Sequence, residues 1–420
     1  MSRHVVEEAK RCLQCKDPLC QKGCPVNTPI KNSIKLLLES KIFEAGEGLF
    51  ANNPLSLVCS FVCPQENQCE GHCVLSKKGM PVQISVIEQY ISSFYLNAVK
   101  PEKAVAKKAK VAVIGSGPAG ITISFILAKK GYDITIFEGN DRIGGVLRYG
   151  IPEFRLPKQV IDSLKEIMLE YGVKIRPNTS IGANLTIDDL ERDGFKAIFM
   201  GTGVWRPSKM NVKGESFGNV HYAIEYLRNP NVYALGEKLI VIGGGNVAMD
   251  VARTAFRHGA REVNIFCNGN REGMTARNIE IEYAKIDGAK IHFYKEAVEF
   301  TEKGAWFADA EGAEAGGAAQ DDIMVAERVS KNGAIQRFVE ANSVIIATGQ
   351  GPRAVIVSTA KDIQVNDKGL VAVDEFGHTT RKGIFASGDV VTGAKTVVEA
   401  VKVSKRVAAA IEEYLIGLEK

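Results

Sequence analysis

Apolar and polar positions change their rhythm along this 420-residue chain. From residue 1 to about 100, apolar residues recur at three and four positions, the spacing of a helix face. Ile34, Leu37, Leu38, Lys41 and Ile42 mark one such predicted helical run, and no long alternating stretch predicts a sheet there. Residues 98–110 are lysine-rich, contain a proline and have no apolar period, so they read as a linker. At Lys110 short apolar runs begin to end in glycine: KVAVIGSGPAG first, then KLIVIGGGNVAMD from Lys238. VIIATG and GIFASGD follow, and a helical run from Thr396 to Leu415 closes the chain. An apolar strand entering a glycine turn and then a helical pattern opens a nucleotide-binding βαβ unit. The predicted fold class is therefore α/β: an N-terminal all-α domain, then two Rossmann-like dinucleotide-binding domains, one inserted in the other. The boundaries read as 1–100 for the helical domain, 110–212 with 341–420 for the interrupted domain, and 213–340 for the insert. The low-complexity passage 310–322 reads as a solvated loop.

Composition narrows the classes. Hydrophobic residues at 45% and charged residues at 24% are ordinary for a globular protein and exclude extensive disorder. A net charge of +4 argues against a dedicated nucleic-acid binder. No apolar run approaches the roughly 18 residues of a spanning helix, and MSRHVVEEAKR lacks the apolar core of a signal peptide. The expectation is a cytoplasmic protein without membrane insertion. Eight of nine cysteines lie in the first 73 residues, crowding that points to metal or redox chemistry rather than disulfides.

The spacing is Cys12-x2-Cys15-x4-Cys20-x3-Cys24-Pro25, then Cys59-x3-Cys63-x5-Cys69-x3-Cys73. A cysteine just before proline often serves a second cluster, as in two-cluster ferredoxins. By that logic Cys12, Cys15 and Cys20 hold one [4Fe–4S] cluster, completed by a distant cysteine, and Cys24 helps hold another. Structural zinc usually shows paired Cys-x2-Cys knuckles, and only one is present.

In the first glycine turn, Gly115, Gly117, Pro118, Ala119 and Gly120 are the candidate FAD contacts, with the helix N-terminus facing phosphate. Glu138 follows the next strand, where a carboxylate can accept both ribose hydroxyls. The second turn offers Gly243, Gly245, Asn246, Ala248 and Asp250 to NAD(P)H. Its next strand ends at Phe266 before Cys267, Asn268, Gly269 and Asn270, with no carboxylate for a 2′-hydroxyl and no basic pair for a 2′-phosphate. Asn268 and Arg271 are candidate contacts, and Arg271 or Arg277 could reach a 2′-phosphate, so the residues leave NADH against NADPH open. Gly388 and Asp389 suit the ribityl and phosphate end of a flavin, and the helix after Lys395, with Thr396, suits its pyrimidine. One bound flavin and one exchangeable nicotinamide suit hydride transfer. Beyond the first turn only Cys267 remains, so a redox-active cysteine pair is excluded and the thiol reads as packing. The six dispersed histidines form no ligand set, and no residue serves as a catalytic nucleophile. The exit for flavin electrons is the cysteine-rich domain.

Together, EAKRCLQCKDPLCQKGCP, NPLSLVCSFVCPQENQCEGHC, VIGSGPAG, RIGGVLRYGIPEFRLP, VIGGGNVAMD and FASGDVVTGAKTVVEAV resemble the glutamate synthase small subunit and the NAD-binding part of dihydropyrimidine dehydrogenase. They are also similar to the large subunit of electron-bifurcating ferredoxin:NADP transhydrogenases. The resemblance implies FAD, NADH or NADPH, and two [4Fe–4S] clusters in an electron-input subunit. Cys12, Cys15, Cys20 and Cys73 would hold one cluster. Cys24, Cys63 and Cys69 would hold the other, with Glu88 favoured over Cys59 as eighth ligand. Gly145, Leu147 and Arg148, in RIGGVLRYG, would line FAD. The implied partner is an electron-accepting subunit, an FMN-containing barrel or another redox protein, in a hetero-oligomer. NADPH-using relatives carry an arginine after the strand ending here in Phe266, so NADH is expected to serve at least as well. The alternative activity is electron bifurcation in a transhydrogenase. A non-catalytic redox sensor and a zinc-bearing docking module on a plain reductase are the rival classes.

Overall fold

The structure is a computed structural model that describes residues 2–101, 108–182, 185–312, 323–331, 333–353, 355–360 and 362–418. Residues 102–107 of the expected linker and 313–322 of the low-complexity passage lie outside the described residues. Helices come first: α1 (Ser2–Lys10), α2 (Leu19–Gly23), α3 (Ile30–Leu38), α4 (Ile42–Asn52), α5 (Ser56–Val62) and α6 (Ile84–Ala98). Then follow β1 (Lys110–Ile114), α7 (Pro118–Lys129), β2 (Asp133–Phe137), α8 (Val146–Tyr149), α9 (Lys158–Glu170), β3 (Lys174–Arg176), α10 (Ile187–Arg192) and β4 (Ala197–Met200). The middle of the chain begins with β5 (Arg206–Pro207), β6 (Val220–Tyr222), α11 (Ala223–Arg228), β7 (Lys238–Ile242), α12 (Asn246–Arg257), β8 (Glu262–Phe266), α13 (Asn278–Ile286) and β9 (Lys290–His292). It continues through β10 (Lys295–Thr301), β11 (Gly304–Asp309), β12 (Met324–Val329), β13 (Ile335–Glu340), β14 (Ser343–Ile346) and β15 (Gln350–Gly351). The last elements are α14 (Val355–Thr359), β16 (Ile384–Ala386), α15 (Asp389–Thr392) and α16 (Val397–Leu418).

The chain divides into two compact units, the first Met1–Arg148, Glu153–Val204 and Gly351–Lys420, the second Tyr149–Pro152 and Trp205–Gln350. In the first, a parallel sheet runs in the order β16-β4-β1-β2-β3. Val111–Ile114 are all buried, as a strand covered by helices on both faces requires. Ile114 pairs with Phe137, so β1 and β2 end side by side and deliver Gly115 and Glu138 to one edge. The second unit repeats the plan with parallel order β6-β14-β7-β8-β9 and adds an antiparallel sheet, β10-β11-β13-β12.

The expected run from Ile34 to Ile42 is two helices, not one. Ser40 takes φ 62°, Lys41 N donates to Leu36 O at 2.8 Å and Ser40 N to Leu37 O at 3.1 Å. Those bonds form a Schellman-type stop that satisfies the last carbonyls of α3, and α4 starts afresh at Ile42. Apolar spacing persists across the break because Ile34, Leu37 and Leu49 share one core with Cys69, Cys73, Ile84, Ile87 and Ile91.

The helical region packs on α7, one of the helices that cover the parallel sheet of the same unit. Phe50 of α4 meets Phe125 of α7 edge-on at 5.2 Å between ring centroids, and also contacts Tyr95 of α6 at 5.5 Å.

Candidate functional site

Six cysteines reach their places from loops at helix ends, because α2, α5 and the turns around them are too short to carry the thiols apart. Cys12, Cys15, Cys20 and Cys73 line a single cavity walled by Leu13, Leu19 and Ile34. Burial raises the Cys12 thiol, and Cys15 and Cys73 add to the rise. Burial likewise pushes Cys20 up to about 11, with Cys73, Cys12 and Cys15 acting in the same sense. Thiolates so close repel one another, and a bound positive centre would relieve that repulsion. Gln14 Nε2 lies 3.6 Å from Cys12 Sγ.

Of the residues expected at a second cluster, Cys63 lies within electrostatic reach of Cys59, Glu88 and Cys69, and Cys69 within reach of Glu88 and Cys24. A hydrogen bond with Cys59 comes first among the causes that raise Cys63, followed by burial, Cys59, Glu88 and Cys69. Burial raises Cys69, with Glu88, Glu70 and Cys24 adding to it. Glu88 is pushed up to about 8, by burial first and then by Glu70. It faces a cavity bounded by Thr28, Ser33, Ile87 and Ile91. Among the described residues it receives no hydrogen bond. Glu70, in contrast, accepts from Ser85 N and Oγ at 2.9 and 2.7 Å. A carboxylate without a donor, beside two buried thiols, fits a ligand role. Cys59 also adjoins Cys63, but Asn53 Nδ2 donates to its sulfur at 3.3 Å. Among the described residues no three His, Cys, Asp or Glu converge tightly enough for a single metal ion.

The first glycine turn is built against backbone. Gly115 sits at φ +93°, and a Cβ there would stand 2.6 Å from Gly201 O. On Gly120 it would stand 2.0 Å from Gly115 O. Pro118 opens α7 at its first turn, where its missing N–H costs nothing. Glu138 adjoins the turn, yet its carboxylate is already held: Ser116 N (3.1 Å) and Oγ donate to Oε2, and Asn140 N (2.8 Å) and Nδ2 (2.7 Å) donate to Oε1. Ser116 Oγ in turn accepts from Gly144 N at 3.1 Å, and a Cβ on Gly145 would meet Gly117 Cα at 2.8 Å. Leu147 is fully buried. Arg148 is tied inward, Nε to Ile143 O at 2.9 Å and its guanidinium to Asp162.

Gly388 joins this edge, its Cβ position 3.1 Å from Ala119 Cβ. Burial pushes Asp389 up to about 6, against the lowering effect of Lys395 N, which donates to it at 3.2 Å. Thr396 is the cap of α16: its N and Oγ1 donate to Glu399 Oε2 at 3.1 and 2.8 Å, and it accepts from Glu399 N at 3.4 Å, a capping box.

In the second unit Gly243 has φ +136° and Gly245 leads into α12. Ala248 and Asp250 are buried in that helix. The segment after β8 folds over the turn: Ala276 N donates to Gly244 O at 3.1 Å and Arg277 N to Asn246 Oδ1 at 3.0 Å. Arg277 is buried beside Glu280 at 3.9 Å, while Asn268 is exposed and Arg271 bonds Asn278. Cys267 is buried, its thiol pushed up to about 11 by burial, as suits an inert packing residue.

Sequence reasoning passed over Ser116 and Asn140 at Glu138, Asn53 at Cys59, and Thr28, whose Oγ1 lies 3.2 Å from Cys24 Sγ. Ser116 was inside a recognised motif. The others carry no local signal, since a lone polar residue becomes a partner only through folding.

A parallel-sheet dinucleotide fold in each unit, joined in one chain to a thiol-rich helical region, defines an FAD- and NAD(P)H-dependent oxidoreductase. Residues 1–99 match the family described as dihydropyrimidine dehydrogenase domain II, 4Fe-4S cluster, and residues 109–404 match pyridine nucleotide-disulphide oxidoreductase. The chain is 30% identical to the glutamate synthase [NADPH] small chain of Escherichia coli (strain K12), over 97% of its own length and 91% of that protein. It is 31% identical to the NAD-dependent dihydropyrimidine dehydrogenase subunit PreT of Salmonella typhimurium, over 98% and 94%. The chain belongs to the glutamate synthase small chain and dihydropyrimidine dehydrogenase-like family of FAD/NAD(P)H oxidoreductases with an iron–sulfur domain. Among solved structures, Mycobacterium tuberculosis FprA in complex with NADPH shares the fold, with TM-score 0.60 and 13% identity over 74% of this chain and 86% of that one. T. acidophilum thioredoxin reductase does so with TM-score 0.55 and 18% identity over 74% and 99%. No described helix is long and apolar enough to cross a membrane.

Proposed function

We propose that this chain is an electron-input subunit that oxidises NAD(P)H and delivers single electrons, through two [4Fe–4S] clusters, to a partner subunit of glutamate synthase or dihydropyrimidine dehydrogenase type. The observation that supports the reading is that Cys12, Cys15, Cys20 and Cys73 line one cavity, while Cys63 and Cys69 lie within electrostatic reach of Glu88, and Cys69 of Cys24. In this reading the parallel-sheet part of the first unit binds FAD, and the second unit, which takes in β14 beside β7, binds NAD(P)H. When bound, FAD exchanges a hydride with nicotinamide and single electrons with the clusters.

The chain's own residues bind and orient. Gly115 to Gly120 keep the entrance to α7 bare so that phosphate can approach its N–H groups. Glu138 fixes that turn through Ser116, and α16 is capped by Thr396 with its N-terminus toward the same edge. Gly243 to Asn246 do the corresponding work on α12. Asn268 and Arg271 stand at the rim where the adenosine ribose of a nicotinamide cofactor would rest.

The test is anaerobic purification of the tagged chain with its native partners, with flavin, iron and acid-labile sulfide measured on the product. Iron and sulfide for two clusters, with an FMN-containing barrel subunit attached, support the reading. Recovery with ferredoxin-like or flavin-containing NADH dehydrogenase subunits would instead indicate an electron-bifurcating transhydrogenase. A chain holding zinc and no sulfide would overturn both.

A further inference from the structure

The long closing helix of the first unit reaches the end of α4, next to the turn that carries Cys24. From Val397 to Lys405, α16 advances about 12 Å, and at Lys405 its side chain turns toward the cysteine-rich helices. Lys405 Nζ donates to Asn52 Oδ1 at 2.8 Å. Asn52 ends α4, and its Nδ2 donates to the Val26 carbonyl at 3.2 Å. Asn27 N closes the same turn on Cys24 O at 2.9 Å. Lysine, amide and carbonyl form a fixed line that ends at the Cys24 turn.

The lysine is half-buried, which costs side-chain entropy and desolvation. Burial pulls its ammonium below the ordinary value, and Cys24 acts in the opposite sense, so the two groups lie within electrostatic reach. Glu70 and Glu88 both act on Cys69 of the expected second cluster, in the same sense as Cys24. A cation held against thiols and carboxylates is placed to offset negative charge gathered there.

We propose that Lys405 is a positioning residue whose charge, held by Asn52, favours the reduced form of the cluster bound by Cys24, Cys63, Cys69 and Glu88. The inference rests on reading those residues as cluster ligands. Reduction adds one electron and makes or breaks no bond, so the site gains one negative charge. A fixed cation stabilises that state more than the oxidised one. Lys405 thereby joins the helix that caps the flavin edge to the affinity for an electron at the next centre.

The test uses full-length, anaerobically purified protein carrying Lys405→Met, Lys405→Arg or Asn52→Leu. Iron, labile sulfide and flavin are measured first, and each protein is then poised with redox mediators while the reduced cluster is read by EPR. At the wild-type midpoint, Lys405→Met is expected to lower the reduced-to-oxidised ratio of one cluster roughly tenfold, the scale of a unit charge at about 10 Å in a dielectric of about 20. Lys405→Arg should stay within about twofold, Asn52→Leu should fall between, and flavin reduction should not move. An unchanged EPR titration in Lys405→Met with full iron overturns the proposal. So does an equal shift in Lys405→Arg, which would assign the residue to packing. Wild-type protein without iron and sulfide would overturn the cluster reading, and the inference with it.

Discussion

Replacing Gly117 and Gly120 by alanine, one at a time, separates the fold from the cofactor site. A Cβ on Gly120 would lie 2.0 Å from Gly115 O, 3.1 Å from Gly115 C and 3.2 Å from Val113 Cγ1. The first of these is backbone, so α7 and the turn must part by more than an ångström, at an overpacking cost of about 1–3 kcal/mol. A unit of this size loses about 2–4 °C of Tm per kcal/mol. Gly117 is the opposite case. Its φ of −72° and ψ of −172° suit any residue, and nothing lies within 4 Å of an added Cβ. Gly117→Ala should therefore change the stability of the flavin-free protein by no more than about 0.5 kcal/mol. It places a methyl group where phosphate must approach the backbone, so FAD affinity should fall at least about tenfold, or about 1.4 kcal/mol. The assay is thermal unfolding of flavin-free protein beside flavin titration. Gly117→Ala binding FAD like wild type, or Gly120→Ala melting at the wild-type temperature with full flavin, would refute the reasoning.

Three further outcomes are expected. Glu88→Ala should lose one cluster's iron and sulfide while Cys59→Ala keeps both clusters; the reverse result makes Cys59 the eighth ligand. Asp389 has a folded value of about 6 against 3.8 ordinarily, so its stabilising contribution is complete below about pH 4 and is lost as pH rises through 6. The stability of flavin-free wild type relative to Asp389→Asn should thus fall by up to about 3 kcal/mol between pH 4 and 7, and a pH-independent difference in chemical unfolding would remove burial as the cause. With Arg277 buried beside Glu280, kcat/KM for NADPH should not exceed that for NADH by more than about tenfold; a larger preference in steady-state kinetics would sink that expectation.

Much of the architecture is local. KVAVI and KLIVI are strands because they are β-branched runs short enough to be covered on both faces, and the glycines after them mark turns that a side chain would block. Cysteine spacing likewise separated Cys12, Cys15 and Cys20 from Cys24 before any fold was known. Other features were illegible in the chain. The stop at Ser40 lies within an unbroken apolar period, because α3 and α4 serve one core and the period reports the core rather than the helix. Arg148 and Arg277 read as candidate ligand contacts, but each stands beside a carboxylate of the chain itself, Asp162 and Glu280.

By itself the sequence determined the strand–turn–helix units, the crowding of thiols and the absence of a redox cysteine pair beyond the first glycine turn, since each depends on residue type and short spacing. The tertiary structure alone decided that Glu88 comes within electrostatic reach of Cys63 and Cys69, that Ser116 and Asn140 occupy the Glu138 carboxylate, and that Lys405 meets Asn52 from 353 residues away. Charge and hydrogen bonding act through space over a few ångströms, and only the packed chain sets those distances.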